Sequence, residues 1–394
     1  MIAIPALLQR GQKACLAVGL LLALACAMGL IFMPRPMLVS WLFSFVFWLG
    51  LSLGCLNVAM VHYLTGGRWG DATRRIFEAA YMTLPLMAIL FVPLLFGLRE
   101  LYPWAQPTEV LHNKILQARA AYNTPIAFTL RALFFFGIWV ALAVRLRSWS
   151  LQQDLAREAG PTIRMRAWSG PGIVVVPLTI TFALVDWVMS LEAEWYSTIF
   201  GVILLAGQFL AALAFATIIL AVLRRAEPFA THFVQGPTEK TFHDLGNLLL
   251  TFVMFWTYVA FSQLLIIYSG NQPHEIGWYL RRIGGSWKVL IGLVAAFHFF
   301  VPFCLLLLRA AKTNITSLTA IAAMLFLVHA LEIFWVIAPE FYPHGISVHW
   351  TDFAAWLGIG GLWLAVFVGN LNRHPLLPLP PAQLNPPTAL AHAK

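Results

Sequence analysis

The sequence predicts an all-α integral membrane protein with about ten transmembrane helices, and three observations support that prediction. The chain of 394 residues is 60% hydrophobic and only 10% charged, and its mean hydropathy is +0.80. Soluble domains carry roughly 25% charged residues, so this composition excludes a soluble globular protein. Apolar runs of roughly 20 residues, the length that crosses a bilayer core, recur along the whole chain.

Ten apolar runs give the predicted helices in chain order. The loops between them are too short for a soluble domain, which needs at least ~50 residues. The number of runs fits two four-helix bundles with one flanking helix at each end. Thr351 stands where the N-cap of the last helix is expected. The runs cover approximately residues 14–33, 38–62, 78–98, 126–146, 171–191, 197–223, 243–268, 286–309, 315–338 and 351–371.

The basic residues predict the orientation of the helices. Of the 25 Lys and Arg residues, 17 fall on the side that holds both termini, 7 fall on the other side, and Arg131 lies within a helix. The positive-inside rule therefore places the N- and C-termini in the cytoplasm. The net charge of +9 belongs to these loops, so no nucleic-acid partner is expected. Residues 1–373 form one polytopic domain, and residues 374–394 form a proline-rich cytoplasmic tail.

The cysteines give no ligand set for a redox cofactor. They occur singly inside the predicted helices, without C-x-x-C or C-x-x-C-H spacing, so no iron–sulfur cluster and no c-type haem is expected in this chain. One alternative is a b-type haem held by His298 and His329, although no second histidine pair supports it. The four cysteines are Cys15, Cys26, Cys55 and Cys304.

Five ionisable residues inside the predicted helices are the candidate functional residues. Such groups are rare in membrane spans because each costs roughly 2.5–3.5 kcal/mol on insertion scales, and they commonly mark substrate or proton sites. We take three as a candidate quinol or proton site and two, Arg131 and His298, as supporting residues. The three candidate site residues are Asp186, His329 and Glu332.

Asp186 and Arg131 lie at matched depths, about 7 Å from the outer ends of the fifth and fourth helices by the helical rise. A buried acid and base at the same depth are expected to pair. This pair is either a structural ion pair or a site where Asp186 exchanges protons with a bound substrate. Glu192 and Glu194 follow in a short outer turn, where we expect solvated interfacial carboxylates.

His329 and Glu332 lie three positions apart, which places them on one face of the ninth helix. They are interpreted as half of a proton relay, as partners of a substrate hydroxyl, or as a packing histidine with a satisfied partner. His298 lies near the midplane of the eighth helix. No metal site is expected, because ligand-rich bundles use several such pairs and the sequence contains one.

Several blocks spread over most of the chain resemble the NrfD-like, polysulfide-reductase-type membrane subunits. The similarity is highest to the second quinone-binding (ActF-type) subunits of bacterial alternative complex III, a quinol:cytochrome c oxidoreductase. The sequence departs from the family at Glu192–Trp195, which reads EAEW, and at Ile126 and Ala127. The blocks are LTGGRWGDATRRIFEAAYMTLPL (64–86), LYPWAQP (101–107), FALVDWVMSLEAEWYSTIFG (182–201), FHDLGNLLLTFVMFWTYVAFSQLLIIY (242–268) and GWYLRRIGGSWK (277–288).

The resemblance implies a multi-pass subunit of the bacterial cytoplasmic membrane that is not catalytic alone. It implies menaquinol or ubiquinol oxidation near the outer side, with this chain supplying a quinone site, a proton path or a scaffold. The implied partners are a second NrfD-like subunit, an iron–sulfur/molybdopterin-fold subunit and c-type cytochromes. The alternative is a stand-alone proton-coupled secondary transporter, although its Pro and Gly interruptions do not pair between two halves as such folds require.

Overall fold

A computed structural model describes residues 6–156, 160–224 and 238–373, and the proline-rich tail lies outside these ranges. Within them, ten helices are long and apolar enough to cross a membrane, which confirms the predicted all-α membrane fold. We call the end that carries Asp186 the outer end, following the predicted orientation. Spans 1 to 10 are Gln9–Phe32, Pro34–Thr65, Arg68–Phe96, Pro125–Asp154, Gly160–Leu191, Phe200–Leu223, Lys240–Gly270, Trp287–Leu307, Ile315–Glu340 and Trp350–Asn372.

The spans form two four-helix bundles. Spans 2 to 5 pack around one another, and spans 6 to 9 form the second bundle. Spans 2 and 6 lie where the bundles meet, and the approach is close: a Cβ atom on Gly54 would lie 2.3 Å from the carbonyl oxygen of Gln208. Span 2 is consequently buried along its whole apolar length. The two-bundle arrangement agrees with the prediction from the number of runs.

Spans 1 and 10 flank the bundles and pack along each other. Glycines make this contact possible. A Cβ atom on Gly19 would lie 2.6 Å from the backbone nitrogen of Leu362, and one on Gly361 would lie 2.8 Å from the carbonyl oxygen of Cys15. Small residues at such positions let two backbones approach closely in lipid, where van der Waals packing drives helix association.

Two spans are interrupted, and proline explains the position of each interruption. Span 3 divides into the helices Arg68–Tyr81, Leu84–Leu90 and Val92–Phe96, the last two of which have Pro at their first turn. Span 8 contains a π-helical segment, Ala295–Phe300, directly before Pro302. Proline has no N–H for the carbonyl four residues earlier, which here belongs to His298. A π-turn shifts the backbone hydrogen bond by one residue, from the carbonyl four positions earlier to the one five positions earlier. Such turns are frequent at functional sites.

The start of span 10 differs from the predicted cap. His349, not Thr351, is the N-cap residue, and it forms a reciprocal capping box with Asp352. The Asp352 carboxylate accepts the backbone N–H of His349 at 2.8 Å. Thr351 instead lies within 2.8 Å of the hydroxyl of Ser40, and Ser40 donates to Asp352 at 2.5 Å. The hydroxyl of Thr351 therefore links span 10 to span 2, a contact that the predicted N-cap role does not include.

Candidate functional site

Arg131 and Asp186 form the ion pair that the sequence predicts. Arg131 Nε donates to Asp186 Oδ2 at 2.7 Å, and Arg131 Nη2 donates to Oδ1 at 3.2 Å. The guanidinium also donates to the carbonyl of Tyr122 at 2.9 Å and lies 3.8 Å from its ring centroid. Asp186 is 2% exposed. Both carboxylate oxygens are used by one arginine, the bidentate geometry of strong arginine–carboxylate pairs.

The second polar site lies inside the bundle of spans 6 to 9. His329 Nδ1 lies 2.8 Å from Glu332 Oε2, and His298 Nδ1 lies 3.5 Å from the same oxygen. We call His298, His329 and Glu332 the His–Glu group. Trp256 Nε1 of span 7 donates to Glu332 Oε1 at 2.7 Å. All three members are at most 2% exposed. The His–Glu group therefore links spans 8 and 9 at a fully buried site.

Gly207 of span 6 provides the space for the His–Glu group. A Cβ atom there would lie 2.7 Å from His329 Cε1 and 3.1 Å from Glu332 Oε2, so span 6 must present bare backbone at this point. The ring of Trp256 covers the opposite side, with its centroid 4.3 Å from that of His298. The sequence contains no periodicity that points to Gly207 or Trp256, because both lie in spans that are apolar on every face.

Several nitrogens of the group have no hydrogen-bond partner among the described residues. They are both ring nitrogens of His298 and Nε2 of His329. The 3.5 Å contact from His298 Nδ1 to Glu332 is within ion-pair distance but lacks hydrogen-bond geometry, so we treat it as an electrostatic contact only. Buried polar atoms usually find a partner, so these three nitrogens are available for a further ligand or a proton.

A haem between His298 and His329 does not fit this arrangement. The ring centroids are 6.0 Å apart, but the planes are tilted by 38°. Glu332 Oε2 lies within 3.5 Å of an Nδ1 atom of both rings. The carboxylate therefore occupies the region between the imidazoles that a flat macrocycle would need.

The two polar sites lie on corresponding helices of the two bundles, at different depths. Asp186 and Arg131 lie on the third and fourth helices of the first bundle, and the His–Glu group lies on the third and fourth helices of the second. The partners differ in kind. Asp186 faces a guanidinium, which stays protonated in proteins, whereas Glu332 faces two imidazoles, side chains that can exist in a neutral or a protonated form.

A third buried acid is Glu78, which lies in the first helix of span 3, Arg68–Tyr81. It is fully buried, and its carboxylate lies 2.5 Å from Arg75, 2.9 Å from Arg74 and 2.7 Å from Arg147. Arg75 also pairs with Asp154. The spacing R-R-x-x-E places both arginines one helical turn before the acid, and that signal could have identified part of this cluster. Arg147 comes from span 4 and could not have been assigned from spacing.

The prediction for Glu192 is wrong, whereas Glu194 is exposed as expected. Glu192 pairs with Arg281, which lies on the helix Pro273–Ile283 of the second bundle. Burial alone would raise the pKa of Glu192, but the hydrogen bond and charge of Arg281 lower it below its usual range. Beside this pair, the rings of Trp195 and Trp278 stack with centroids 4.5 Å apart. These contacts join the two bundles at the outer end.

Arg282, next to Arg281, is directed into the protein. It is 2% exposed, its guanidinium donates to the carbonyl of Val336 at 2.8 Å, and it lies 3.9 Å from the Trp278 ring centroid. Burial lowers the pKa of Arg282 to about 9, so the side chain stays protonated at neutral pH. The buried arginine fixes the outer loop against the end of span 9.

A groove of about 390 Å³ lies between spans 2, 8, 9 and 10, within the size range of small-molecule sites. Its lining is apolar apart from the carboxylate of Asp352 and the indole of Trp356. Both oxygens of Asp352 are already hydrogen-bonded, one to Ser40 and one to the backbone of His349. The groove therefore suits a long apolar chain better than a polar headgroup.

No protein-family model matches the sequence, and comparison with curated proteins finds no significant match. The family resemblance therefore rests on the sequence blocks described above.

Proposed function

We propose that this chain is an integral subunit of a quinol-oxidising complex of the alternative complex III type, in a bacterial cytoplasmic membrane. Within it, the His–Glu group passes protons through the second bundle. The resemblance to NrfD-like subunits, the ten-helix fold with two bundles, and the groove for an apolar tail support this proposal. Electrons from menaquinol or ubiquinol leave through partners: a second NrfD-like subunit, an iron–sulfur/molybdopterin-fold subunit and c-type cytochromes.

The observation that carries the proton role is the set of partners around Glu332. Its oxygens contact His298, His329 and Trp256, whereas the equally buried Glu78 and Asp186 contact arginines. A hydrogen-bonded imidazole and carboxylate can hold one proton on either partner, and the net charge of the pair is the same in both forms. Proton transfer within the pair therefore adds no net charge to the apolar interior, where an unpaired ion costs several kcal/mol.

In this proposal the Arg131–Asp186 pair is a structural ion pair and not a site of proton exchange. A proton on Asp186 would leave the guanidinium of Arg131, which is 20% exposed, without its counter-ion, which is costly. The pair therefore holds spans 4 and 5 together at the outer end. It also presents a fixed dipole to any quinol headgroup that approaches from that side.

Co-purification tests membership of the complex. A tagged chain extracted from native membranes in mild detergent is expected to carry c-type cytochromes, detected by their haem absorption, and a second ten-span subunit. Isolation of the chain alone, with uptake of a solute driven by a proton gradient in liposomes, would instead support the stand-alone transporter.

The proton role is tested in the purified complex with Glu332→Gln. The amide keeps a partner for Trp256 but removes the ionisable oxygen. We expect quinol-driven proton release to fall at least about ten-fold, a modest loss for a positioned acid–base group. Glu194→Gln changes an exposed acid and is the matched control. Unchanged proton release and unchanged cytochrome c reduction in Glu332→Gln would refute the role.

A further inference from the structure

We propose that the His–Glu group is also a binding site for a divalent transition cation, with Zn²⁺ as the best match to its donor atoms. Each of His298, His329 and Glu332 brings one ligand atom within 4.8 Å of the other two, and all three are buried. Two imidazole nitrogens and one carboxylate oxygen are a common protein ligand set for Zn²⁺, with a fourth position for water or another ligand. The inference rests on the geometry of the group and not on the proposed function.

The distances already approach those of a bound cation. With Zn–N and Zn–O bonds near 2 Å, neighbouring ligand atoms of a tetrahedral site lie roughly 3.3 Å apart. The separations of 2.8 Å from His329 Nδ1 and 3.5 Å from His298 Nδ1 to Glu332 Oε2 lie on either side of that value. The ligand atoms of the two histidines lie within 4.8 Å of each other, so the imidazoles must approach each other to place the three donors around one ion.

The unpartnered nitrogens favour a ligand at this position. His298 has no hydrogen bond on either ring nitrogen among the described residues, although it is 0% exposed. A purely structural histidine in an apolar bundle usually satisfies at least one nitrogen. The backbone around His298 is π-helical, and a π-turn redirects side chains relative to a regular helix. This local distortion directs the imidazole at Glu332 of the neighbouring span.

A supporting contact of the kind that metal sites use is also present. Trp256 Nε1 donates to Glu332 Oε1 at 2.7 Å, which orients the carboxylate and leaves Oε2 toward the two histidines. Hydrogen bonds to ligating carboxylates typically contribute 10- to 100-fold in metal affinity. The tryptophan is thus a positioning residue for the cation site.

The carboxylate of Glu332 needs a counter-charge in the apolar bundle. Zn²⁺ with a hydroxide in the fourth position supplies it and keeps the group neutral: the proton shared by His329 and Glu332 and one proton of the bound water are released to the solvent, and no oxidation state changes. Zn²⁺ and the shared proton therefore occupy the group alternately.

Direct binding measurements on the purified full-length chain test the inference. Titration with Zn²⁺ should show one tight site, and Co²⁺ should give the visible absorption of a tetrahedral nitrogen and oxygen site without thiolate bands. His298→Ala and Glu332→Gln should each weaken Zn²⁺ binding at least about 100-fold, and Trp256→Phe about 10-fold. His112→Ala, a change at an exposed histidine, should leave the site unaltered.

X-ray absorption of the Zn²⁺-loaded wild-type chain provides a readout that needs no variant. It should show two imidazoles and one carboxylate oxygen at about 2.0–2.2 Å. A spectrum without two imidazoles, the absence of a stoichiometric site, or binding that survives all three substitutions would overturn the inference. Because these measurements need no quinol and no partner, their failure is distinct from failure of the proposed function, which is measured as proton release by the complex.

Discussion

At the scale of single residues, the buried acids are distinguished by their partners rather than by their depth. Glu78 faces three arginines, Asp186 faces one, and Glu332 faces two histidines. Depth along the helix is the property that a sequence reveals, and it left Asp186 and Glu332 both as candidate site residues. In the proposed function the partners decide between the two acids, and Glu332, which contacts two histidines, carries the proton.

We expect Asp186→Asn to destabilise the protein without altering the chemistry of the folded fraction. Removing one partner of a buried ion pair leaves an uncompensated guanidinium and typically costs about 3–5 kcal/mol. Thermal unfolding in detergent measures the loss, and quinol:cytochrome c activity per folded complex should be unchanged. The double variant Arg131→Met with Asp186→Leu should recover most of the stability. A selective loss of activity in a fully stable Asp186→Asn protein would contradict a structural role.

Glu78→Gln should be at least as destabilising as Asp186→Asn, since it removes the carboxylate that pairs with Arg74, Arg75 and Arg147, of which Arg75 also pairs with Asp154. The cost is again about 3–5 kcal/mol for the broken pairs. Protease sensitivity of the loops at the inner end provides a local readout beside thermal unfolding. An exposed acid on the same face, Asp71, changed to Asn, is the control. Equal stability of the two variants would show that the cluster is solvated rather than buried.

At the scale of elements, glycine and proline determine where backbones approach and where helices break. Gly54 and Gly207 bring span 6 against its neighbours, Gly19 and Gly361 join spans 1 and 10, and Pro302 follows the π-helical segment of span 8. The sequence shows where these glycines and prolines lie. It does not show which neighbouring backbone or side chain each of them contacts, because that depends on how the other spans pack.

Gly207→Ala should disturb the His–Glu group directly. The added methyl would lie 2.7 Å from His329 Cε1, which is closer than real Cβ contacts, so the imidazole must move away from Glu332. Overpacking of this kind costs about 1–3 kcal/mol. We expect lower thermal stability and impaired proton release. Gly137→Ala, where no atom lies within 4 Å of the new Cβ, is the control, and an identical response of both variants would argue against the close approach.

At the scale of the whole molecule, two bundles of similar construction meet along spans 2 and 6 and are joined at the outer end by Glu192–Arg281 and the stacked Trp195 and Trp278. The polar sites lie on the third and fourth helices of each bundle. One carboxylate contacts an arginine and the other contacts two histidines. In the proposed function the first bundle therefore supports the structure and the second carries the proton chemistry.

The outer contact predicts a pH dependence of stability. The pKa of Glu192 in the folded protein lies below the unfolded value of roughly 4.3, so the contact stabilises the fold at pH values above 4.3. That stability is lost as the pH falls through the lower folded pKa. The effect is about 1 kcal/mol or less, because Arg281 is 37% exposed and solvent screens the pair.

Thermal unfolding scans between pH ~6 and ~3 measure the effect. The wild-type protein should lose stability more steeply than Glu192→Gln on the acid side, and the two should converge at the lowest pH. Glu194→Gln changes an exposed acid in the same turn and should follow the wild-type curve. A Glu192→Gln curve parallel to the wild type would show that the contact with Arg281 adds nothing to stability.

The sequence by itself determined the ten spans, because a bilayer demands long apolar runs with few charges. It also determined the Arg131–Asp186 pair, since two opposite charges at matched depth on consecutive helices have no better partner, and the shared face of His329 and Glu332. The tertiary structure alone decided that His298 joins them and that Glu192 reaches Arg281. The reason is physical: in lipid both the packed and the exposed faces of a helix are apolar, so periodicity does not reveal which face meets which neighbour.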